Sequence, residues 1–393
     1  MAKKENIFAW EQRKLGEVAD IYDGTHQTPD YKDQGIMFLS VENIKTLKSN
    51  KYISEEAFKK EFQIRPEKND ILMTRIGDIG TANVVKNNIP IAYYVSLALI
   101  KSSKLNSYFL QSNIHSPFVQ NEIWKRTLHI AFPKKINKNE ISNIPVKFPI
   151  IEEQIKIGNL FKQLDNTLAL LQKKLVQYQA LKKAFLQLMF PQNAESVPQV
   201  RFTNFEERWE QRKLGDNVEF YSGLTYSPDN IKENGTLVLR SSNVKNGEII
   251  DADNVYVDTK AVNSQNVEIG DVIVVVRNGS RNLIGKHAFV KKKMDNTVIG
   301  AFMTGIRSKV PSFTNALLNS NQFAIEINKN LGATINQITT REFKEMRFYF
   351  PSIDEQKKIG DFFNQLDDTL AFHQNKLKQF QLLKKVLLQK MFV

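Results

Sequence analysis

Residues 279–287, Gly-Ser-Arg-Asn-Leu-Ile-Gly-Lys-His, come nearest in this chain to a loop that could cradle a phosphate. Their spacing is one residue too long for a nucleotide loop, and His287 stands where Mg²⁺ coordination needs Ser or Thr. A Glu-x-Lys pair of the kind nucleases use occurs at Glu355 and Lys357, but the equivalent position earlier in the chain is Ile155. That pair also opens a long helical pattern, where acidic side chains suit the positive N-terminus. The five histidines (His26, His115, His129, His287 and His373) show no metal spacing, and there is no cysteine to supply a thiolate or a disulfide. No Gly-x-Ser-x-Gly is present, nor a glycine-rich strand-to-helix fingerprint for an adenosyl cofactor. Catalysis by this chain alone is therefore not expected, and the expected cofactor and metal content is none. What remains is binding chemistry. Thr25, His26, Gln27, Lys45, Arg75 and Asn83 in the first half stand on or beside glycine-bearing turns, as do Tyr226, Arg240, Asn243, Lys245, Arg277, Asn278, Arg281 and Lys286 in the second. Arg and Lys can fork onto guanine, Asn and Gln onto adenine, and hydroxyls or lysines can hold phosphate. Taken singly, each is more often a solvated surface residue than a contact. It is their grouping at corresponding turns in two halves that makes them candidates.

The elements that carry these turns are themselves repeated. Residues 10–16, WEQRKLG, return letter for letter at 209–215, and Tyr22 and Gly24 return as Tyr221 and Gly223. Between these anchors the halves diverge but keep landmarks. Phe38-Leu39-Ser40 with Asn43-Ile44-Lys45 matches Leu237-Val238-Leu239-Arg240 with Asn243-Val244-Lys245. Asp70-Ile71-Leu72 leads to Arg75, Gly77 and Gly80, as Asp271-Val272-Ile273 leads to Arg277, Gly279 and Gly285. Apolar, β-branched runs bounded by Gly and Asn predict strands entering turns. Residues 108–125 and 316–330 read as helices. Residues 141–148 and 343–350 each read as a short helix or turn followed by a last strand. Each half is thus a mixed α+β domain.

A second duplication follows each half. Residues 148–190 and 350–392 are identical at 27 of 43 positions without a gap. Ile157, Phe161, Leu164, Leu168, Leu171, Leu175 and Tyr178 recur at alternating steps of four and three, copied as Ile359, Phe363, Leu366, Leu370, His373, Leu377 and Phe380. That spacing predicts a two-stranded coiled-coil seam, with a phase slip before it resumes at Leu181/Phe185 and Leu383/Leu387. His373 reads as a polar register residue on the seam. Pro149 and Pro351 mark the helix starts, and each helix should run about 55–60 Å. The offset is 199 residues at the domain starts and 202 in the helices, so the repeating unit is about 200 residues. The expected division is a domain over 1–148, a helix over 149–191, a polar linker over 192–208, a second domain over 209–349 and a second helix over 350–393. Antiparallel packing of the two helices would place one domain at each end of a rod, with Val393 near the start of the first domain.

The totals agree with a binding protein. Lys and Arg number 55 against 42 Asp and Glu, a formal charge of +13, with 10% aromatic residues, which suits a polyanion. An apolar leader is not evident at the N-terminus, and the most apolar run, 89–100, is too short to span a bilayer. A soluble, cytoplasmic protein is expected.

With WEQRKLG opening each unit and FP-x-I-[DE]-EQ-x-KIG-x-[LF]-F-x-QLD-x-TLA opening each helix, the chain resembles the specificity subunits of type I restriction–modification systems over essentially its whole length. The resemblance implies two target recognition domains, each reading one half of a split, asymmetric DNA sequence, separated by an antiparallel coiled coil that sets their spacing and docks two methyltransferase subunits. It implies that Glu153, Gln154, Ile157, Gly158, Leu164 and Asp165, with Glu355, Gln356, Ile359, Gly360, Leu366 and Asp367, belong to a shared scaffold. It further implies that S-adenosylmethionine, ATP and Mg²⁺ are used by partner methyltransferase and restriction subunits. The alternatives from other classes are a non-catalytic scaffold with protein- or RNA-binding domains, and a stand-alone nuclease or methyltransferase, which lacks motifs here.

Overall fold

A computed structural model of the chain describes residues 10–192, 195–331 and 336–392. Two compact units emerge, residues 1–173 with 375–393 (unit 1) and residues 174–374 (unit 2). The division falls inside the two long helices, so each unit owns a piece of both.

Unit 1 opens with β1 (Glu11–Lys14), α1 (Leu15–Val18), β2 (Asp20–Asp23), β3 (Ile36–Leu39), β4 (Tyr52–Ile53) and α2 (Glu55–Glu61). It continues with β5 (Ile71–Ile76), β6 (Asp78–Val84), β7 (Ile91–Tyr93), β8 (Leu97–Lys101), α3 (Ser107–Ile114), α4 (Pro117–Arg126), α5 (Lys138–Ser142) and β9 (Pro145–Phe148), then enters α6 (Ile151–Leu188). An antiparallel sheet has the order β2-β8-β5-β6, a smaller one β4-β3-β7 with β3 and β7 parallel, and β1 pairs with β9. The predicted helix over 108–125 is two helices. Ser116 caps the second by accepting from Val119 N at 3.3 Å, and Pro117 occupies its first turn. The apolar run 89–100 is the buried pair β7 and β8.

Unit 2 repeats the plan with β10 (Glu210–Lys213), β11 (Val218–Ser222), β12 (Ile231–Lys232), β13 (Thr236–Leu239), β14 (Val244–Lys245), β15 (Glu248–Ile249) and β16 (Val255–Val257). Then come β17 (Val272–Val275), β18 (His287–Phe289), β19 (Thr297–Ile299), β20 (Met303–Ser308), α7 (Pro311–Leu318), α8 (Asn321–Asn330), α9 (Thr340–Glu345), β21 (Arg347–Phe350) and α10 (Ile353–Met391). Its sheets are β11-β20-β17-β18 and β12-β16-β13-β19, with β13 and β19 parallel, and β10 pairs with β21. The β14–β15 hairpin has no counterpart in unit 1. The predicted helix over 316–330 is likewise split, into α7 and α8.

The two long helices hold 38 and 39 residues, about 57–59 Å at 1.5 Å per residue. In unit 1 they run antiparallel, since Asp165 of α6 pairs with Lys384 of α10 while Phe161 meets Phe392. In unit 2 Lys182 pairs with Asp367 and Phe185 meets Phe362, again antiparallel. The seam is largely as its spacing predicts. Ile157, Phe161, Leu164, Leu171 and Leu175 are buried, as are Ile359, Phe363 and Leu366, while Leu168, Leu370 and Leu377 are half-buried. His373 is half-buried and stacks on Tyr178 with ring centroids 5.3 Å apart. After the phase slip one expectation fails, for Leu181 and Leu383 are exposed and the stripe continues through Phe185 and Leu186 on one helix and Leu387, Leu388 and Met391 on the other. At 3.6 residues per turn those two leucines rotate off the seam.

The shared motif at the helix starts docks each helix onto its globular domain. Gln154 is buried, donates to Pro149 O at 2.8 Å and accepts from Asn106 N at 3.0 Å, and Gln356 likewise donates to Pro351 O at 3.0 Å. Gly158 lies against the start of α3, where a Cβ would come within 2.8 Å of Phe109 N, and Gly360 lies against α7, where it would come within 2.7 Å of Phe313 N. The far end of the other helix closes each core. Phe392 packs against Trp10, Phe109 and Phe161, and Phe190 packs against Trp209, Phe313 and Phe363. Val393 itself lies outside the described residues, but its neighbour Phe392 does touch the start of the first domain.

Within the polar stretch 195–208 the chain is tied to the second helix, since Arg201 forms a two-pronged ion pair with the fully buried Glu355 at 2.7 and 2.8 Å and Phe202 packs on Phe362. Glu355 is therefore committed to Arg201 rather than merely favouring the helix N-terminus, and Lys357 pairs with Asp354 instead.

Candidate nucleic-acid interface

In unit 1, β2 ends at Asp23 and the chain turns at Gly24, which is pressed against the backbone of Tyr93 and Tyr94. Thr25 is held there by its own backbone, donating to Tyr93 O at 3.1 Å and accepting from Val95 N at 2.9 Å. This anchored turn leaves His26 and Gln27 exposed. Lys45 is exposed on the turn after β3, and that turn is fixed by Asn83, whose amide donates to Ile44 O and Lys45 O at 3.0 and 3.1 Å. Lys45 and Asn83 line a hollow of about 620 Å³ together with Lys48 and Lys86. The last two escaped the sequence reading because they sit outside the repeated landmarks, although Lys48 lies only three residues beyond Lys45.

Arg75 does not belong to an exposed reading surface. It is buried, pairs with Asp23 and donates through Nε to Ile136 O at 3.1 Å. Pairing it with Arg277 was also a slip of one residue. Ile136 N donates to Arg75 O as Ile338 N donates to Val276 O, so the structural partner of Arg75 is Val276, and that of Arg277 is Ile76. A one-residue shift reverses the face on which a strand side chain lies. Arg75 points into the domain and Arg277 out of it.

In unit 2 the candidates fall into two groups. Tyr226 and Arg240 line a hollow of about 530 Å³ beside Ser241, Asp253 and Phe302. The exposed Arg277 guanidinium lies over the Phe302 ring, 5.1 Å from its centroid, and Asn278 donates to Ser241 Oγ at 3.0 Å. Arg240 donates to Asp253 O and Oδ2, both at 2.6 Å, so part of its charge is already matched. Lys245, Arg281 and Lys286 are exposed and line a second hollow of about 700 Å³, with His287 in its wall. Burial pushes the His287 pKa down, which keeps this ring neutral. Asn243 also lies off the exposed surface. It is fully buried, accepting from Arg240 N at 2.9 Å and donating to Ala252 O and Asn254 Oδ1, just as Asn43 accepts from Ser40 N and donates to Lys48 O. These asparagines build the turn after β3 and after β13.

The segment 279–287 makes one short helical turn at residues 281–283 and then enters β18 at His287, so it lacks the helix N-terminus that a nucleotide loop requires. Among the described residues no group of three or more His, Cys, Asp or Glu is placed to hold a metal, and no helix is long and apolar enough to cross a membrane. The arrangement offers two turn-based cationic surfaces of unlike composition, each mounted on a sheet of the same topology.

Comparison with known proteins agrees with this duplicated plan. Residues 9–180 and 206–381 each match the type I restriction modification DNA specificity domain. The chain is 23% identical over 265 residues to the type I restriction enzyme MjaVIII specificity subunit of Methanocaldococcus jannaschii, covering 64% of this chain and 61% of that one. It is 25% identical over 174 residues to the EcoKI specificity subunit of Escherichia coli, covering 42% and 37%. The matched part thus spans less than two thirds of either relative. Among solved structures, the type I restriction–modification S subunit from M. genitalium aligns over 100% of this chain and 98% of its own at a TM-score of 0.69, with 16% identity. A chain from work on assembly and conformational transition of the type I system aligns at 0.51 with 15% identity, covering 98% and 97%. At these identities the structural matches bear on the fold.

Proposed function

Because the chain belongs to the type I restriction–modification DNA specificity family, we propose that it is the sequence-reading subunit of such a complex. Each globular domain reads one half of a bipartite, asymmetric duplex target. The observation that carries this is the pairing of one repeated scaffold with two unlike cationic turn surfaces. A duplicated protein that bound one ligand twice would keep both surfaces alike, whereas two different half-sites require them to differ. His26, Gln27 and Lys45 would serve one half-site, and Tyr226, Arg277, Asn278, Lys245 and Lys286 the other, with base edges and phosphates shared among them. The chain is not itself an enzyme in this reading. Adenine methylation with S-adenosylmethionine belongs to two methyltransferase subunits docked on the helices, and ATP- and Mg²⁺-dependent cleavage to restriction subunits. The helices set the gap between the half-sites.

Methylation sequencing of cells carrying the chain with its methyltransferase partner tests the reading. A split motif is expected, and replacing the second domain should rewrite only one half of it. Rewriting of both halves would defeat the modular assignment. Inserting one heptad into both helices lengthens each by about 10 Å, so the unread gap should grow by about three base pairs. An unchanged gap would remove the spacer role.

A further inference from the structure

We propose that the loop over 127–136 in unit 1 is a DNA wedge, whose Ile130 and Phe132 enter a base step of the duplex while neighbouring lysines hold the flanking phosphates. This rests on the specificity-subunit reading and deepens it, by naming a contact that acts on base stacking rather than on base edges.

Ile130 is 98% exposed and Phe132 103%, whereas the next most exposed large apolar side chain among the described residues, Ile269, reaches 63%. Two fully exposed apolar side chains on one loop tip leave unused the stabilisation that burial would supply. The loop beneath them is held firmly. Leu128 N donates to Lys135 O at 2.8 Å, Gly77 N to Lys134 O at 2.9 Å, and Ile136 N to Arg75 O at 2.9 Å. On the near side the Lys134 ammonium sits over the Trp124 indole at 4.9 Å, and the His129 ring lies 4.1 Å from the same indole. A tip built on such a base projects its apolar side chains with little freedom to fold back.

The chemistry of the surroundings selects the partner. Residues 127–139 include Lys134, Lys135 and Lys138, all exposed, and contain no carboxylate. An apolar tip followed by three exposed lysines fits a duplex, whose stacked bases lie between two rows of phosphate, and apolar wedges of Phe, Ile or Pro are able to unstack a step. The position also fits. The buried Arg75 ties Ile136, at the foot of this loop, to Asp23, which immediately precedes the turn carrying His26 and Gln27. The wedge and that candidate reading turn are therefore two arms of one mount.

The test uses the full chain and a duplex selected by it from a randomised library, with 2-aminopurine placed at successive positions. The wild type should raise the fluorescence several-fold at one step. The I130S/F132S variant should leave that step stacked and bind roughly tenfold more weakly, with unchanged thermal stability because neither side chain is packed. Phe132→Trp should preserve the unstacking. Equal unstacking by the double variant, or selection of a duplex with no unstacked step by the wild type, overturns the wedge and leaves the specificity reading intact. Failure of the wild type to enrich any duplex overturns that reading and the wedge together.

Discussion

The two units share their topology and differ in their exposed turns. In unit 1, β5 and β6 form a long hairpin through Gly77, and the most prominent surface feature is the apolar tip at Ile130 and Phe132. In unit 2, β17 is short and the chain makes a wide basic excursion over 276–286, flanked by the extra β14–β15 hairpin bearing Lys245. What both units keep is structural. Asp70 and Asp271 hold Lys101 and Arg307 at the same place in the sheet, and Asn43 and Asn243 build the same turn. These shared residues are scaffold, whereas the shared Lys45 and Lys245 are exposed. A residue present in one half only is where a difference in target can reside.

The comparison is sharpest where the scaffold itself is unequal. Arg201→Ala would leave the fully buried Glu355 carboxylate without its partner, and breaking a buried pair costs about 3–5 kcal/mol. Denaturant unfolding should show unit 2 weakened by that amount and unit 1 untouched. The segment matching Arg201 in unit 1 precedes Trp10, outside the described residues, and the corresponding Glu153 is only partly buried. Equal loss in both units would show that the pair does not act locally.

A second substitution should strike both units alike. Gly158→Ala and Gly360→Ala each push a methyl into the backbone start of α3 or α7. Overpacking of this kind costs about 1–3 kcal/mol, less the helix-propensity gain of roughly 1 kcal/mol that alanine brings. Similar losses in thermal stability from the two variants are expected. A loss confined to one would mean that the helix starts are not docked equivalently.

A further test concerns acid. Burial is the main cause that lowers the His115 pKa to about 4, helped by Lys384 and opposed by Asp165 and Asp78. Its Nε2 accepts from Ala82 N at 3.0 Å, which requires the neutral ring. The unfolded chain binds this proton near 6.5 and the folded one only near 4, so the stability contributed by the neutral ring is present above 6.5 and is lost as pH falls through that window. His115→Gln should flatten the fall in melting temperature between these two values. An equally steep fall would assign the acid sensitivity elsewhere.

The long helices were legible in the sequence because burial imposes a stripe, and a stripe of four-and-three spacing survives divergence of everything around it. The strands and the duplicated domains were legible from apolar runs and turn glycines. The candidate surface was less so. Arg75 and Arg277 look alike as letters beside a glycine, yet a shift of one position in a strand turns one inward and the other outward. Asn243 carries the right chemistry for adenine, but a buried turn claims its amide first. Ile130 and Phe132 lie in a segment with no periodicity, so only solvent accessibility distinguishes them from core. Leu181 and Leu383 resemble seam residues until the helical angle is counted through.

The exchange of helix ends has a consequence for how this chain can be cut. Phe190 completes the core of the domain that follows it, and Phe392 returns to complete the core of the domain that began the chain. A fragment stopping after the first helix would therefore expose the pocket meant for Phe392 while carrying, in Phe190, a side chain of the right kind to fill it. Two such fragments would satisfy one another reciprocally, and a halved gene would encode a protomer suited to self-pairing.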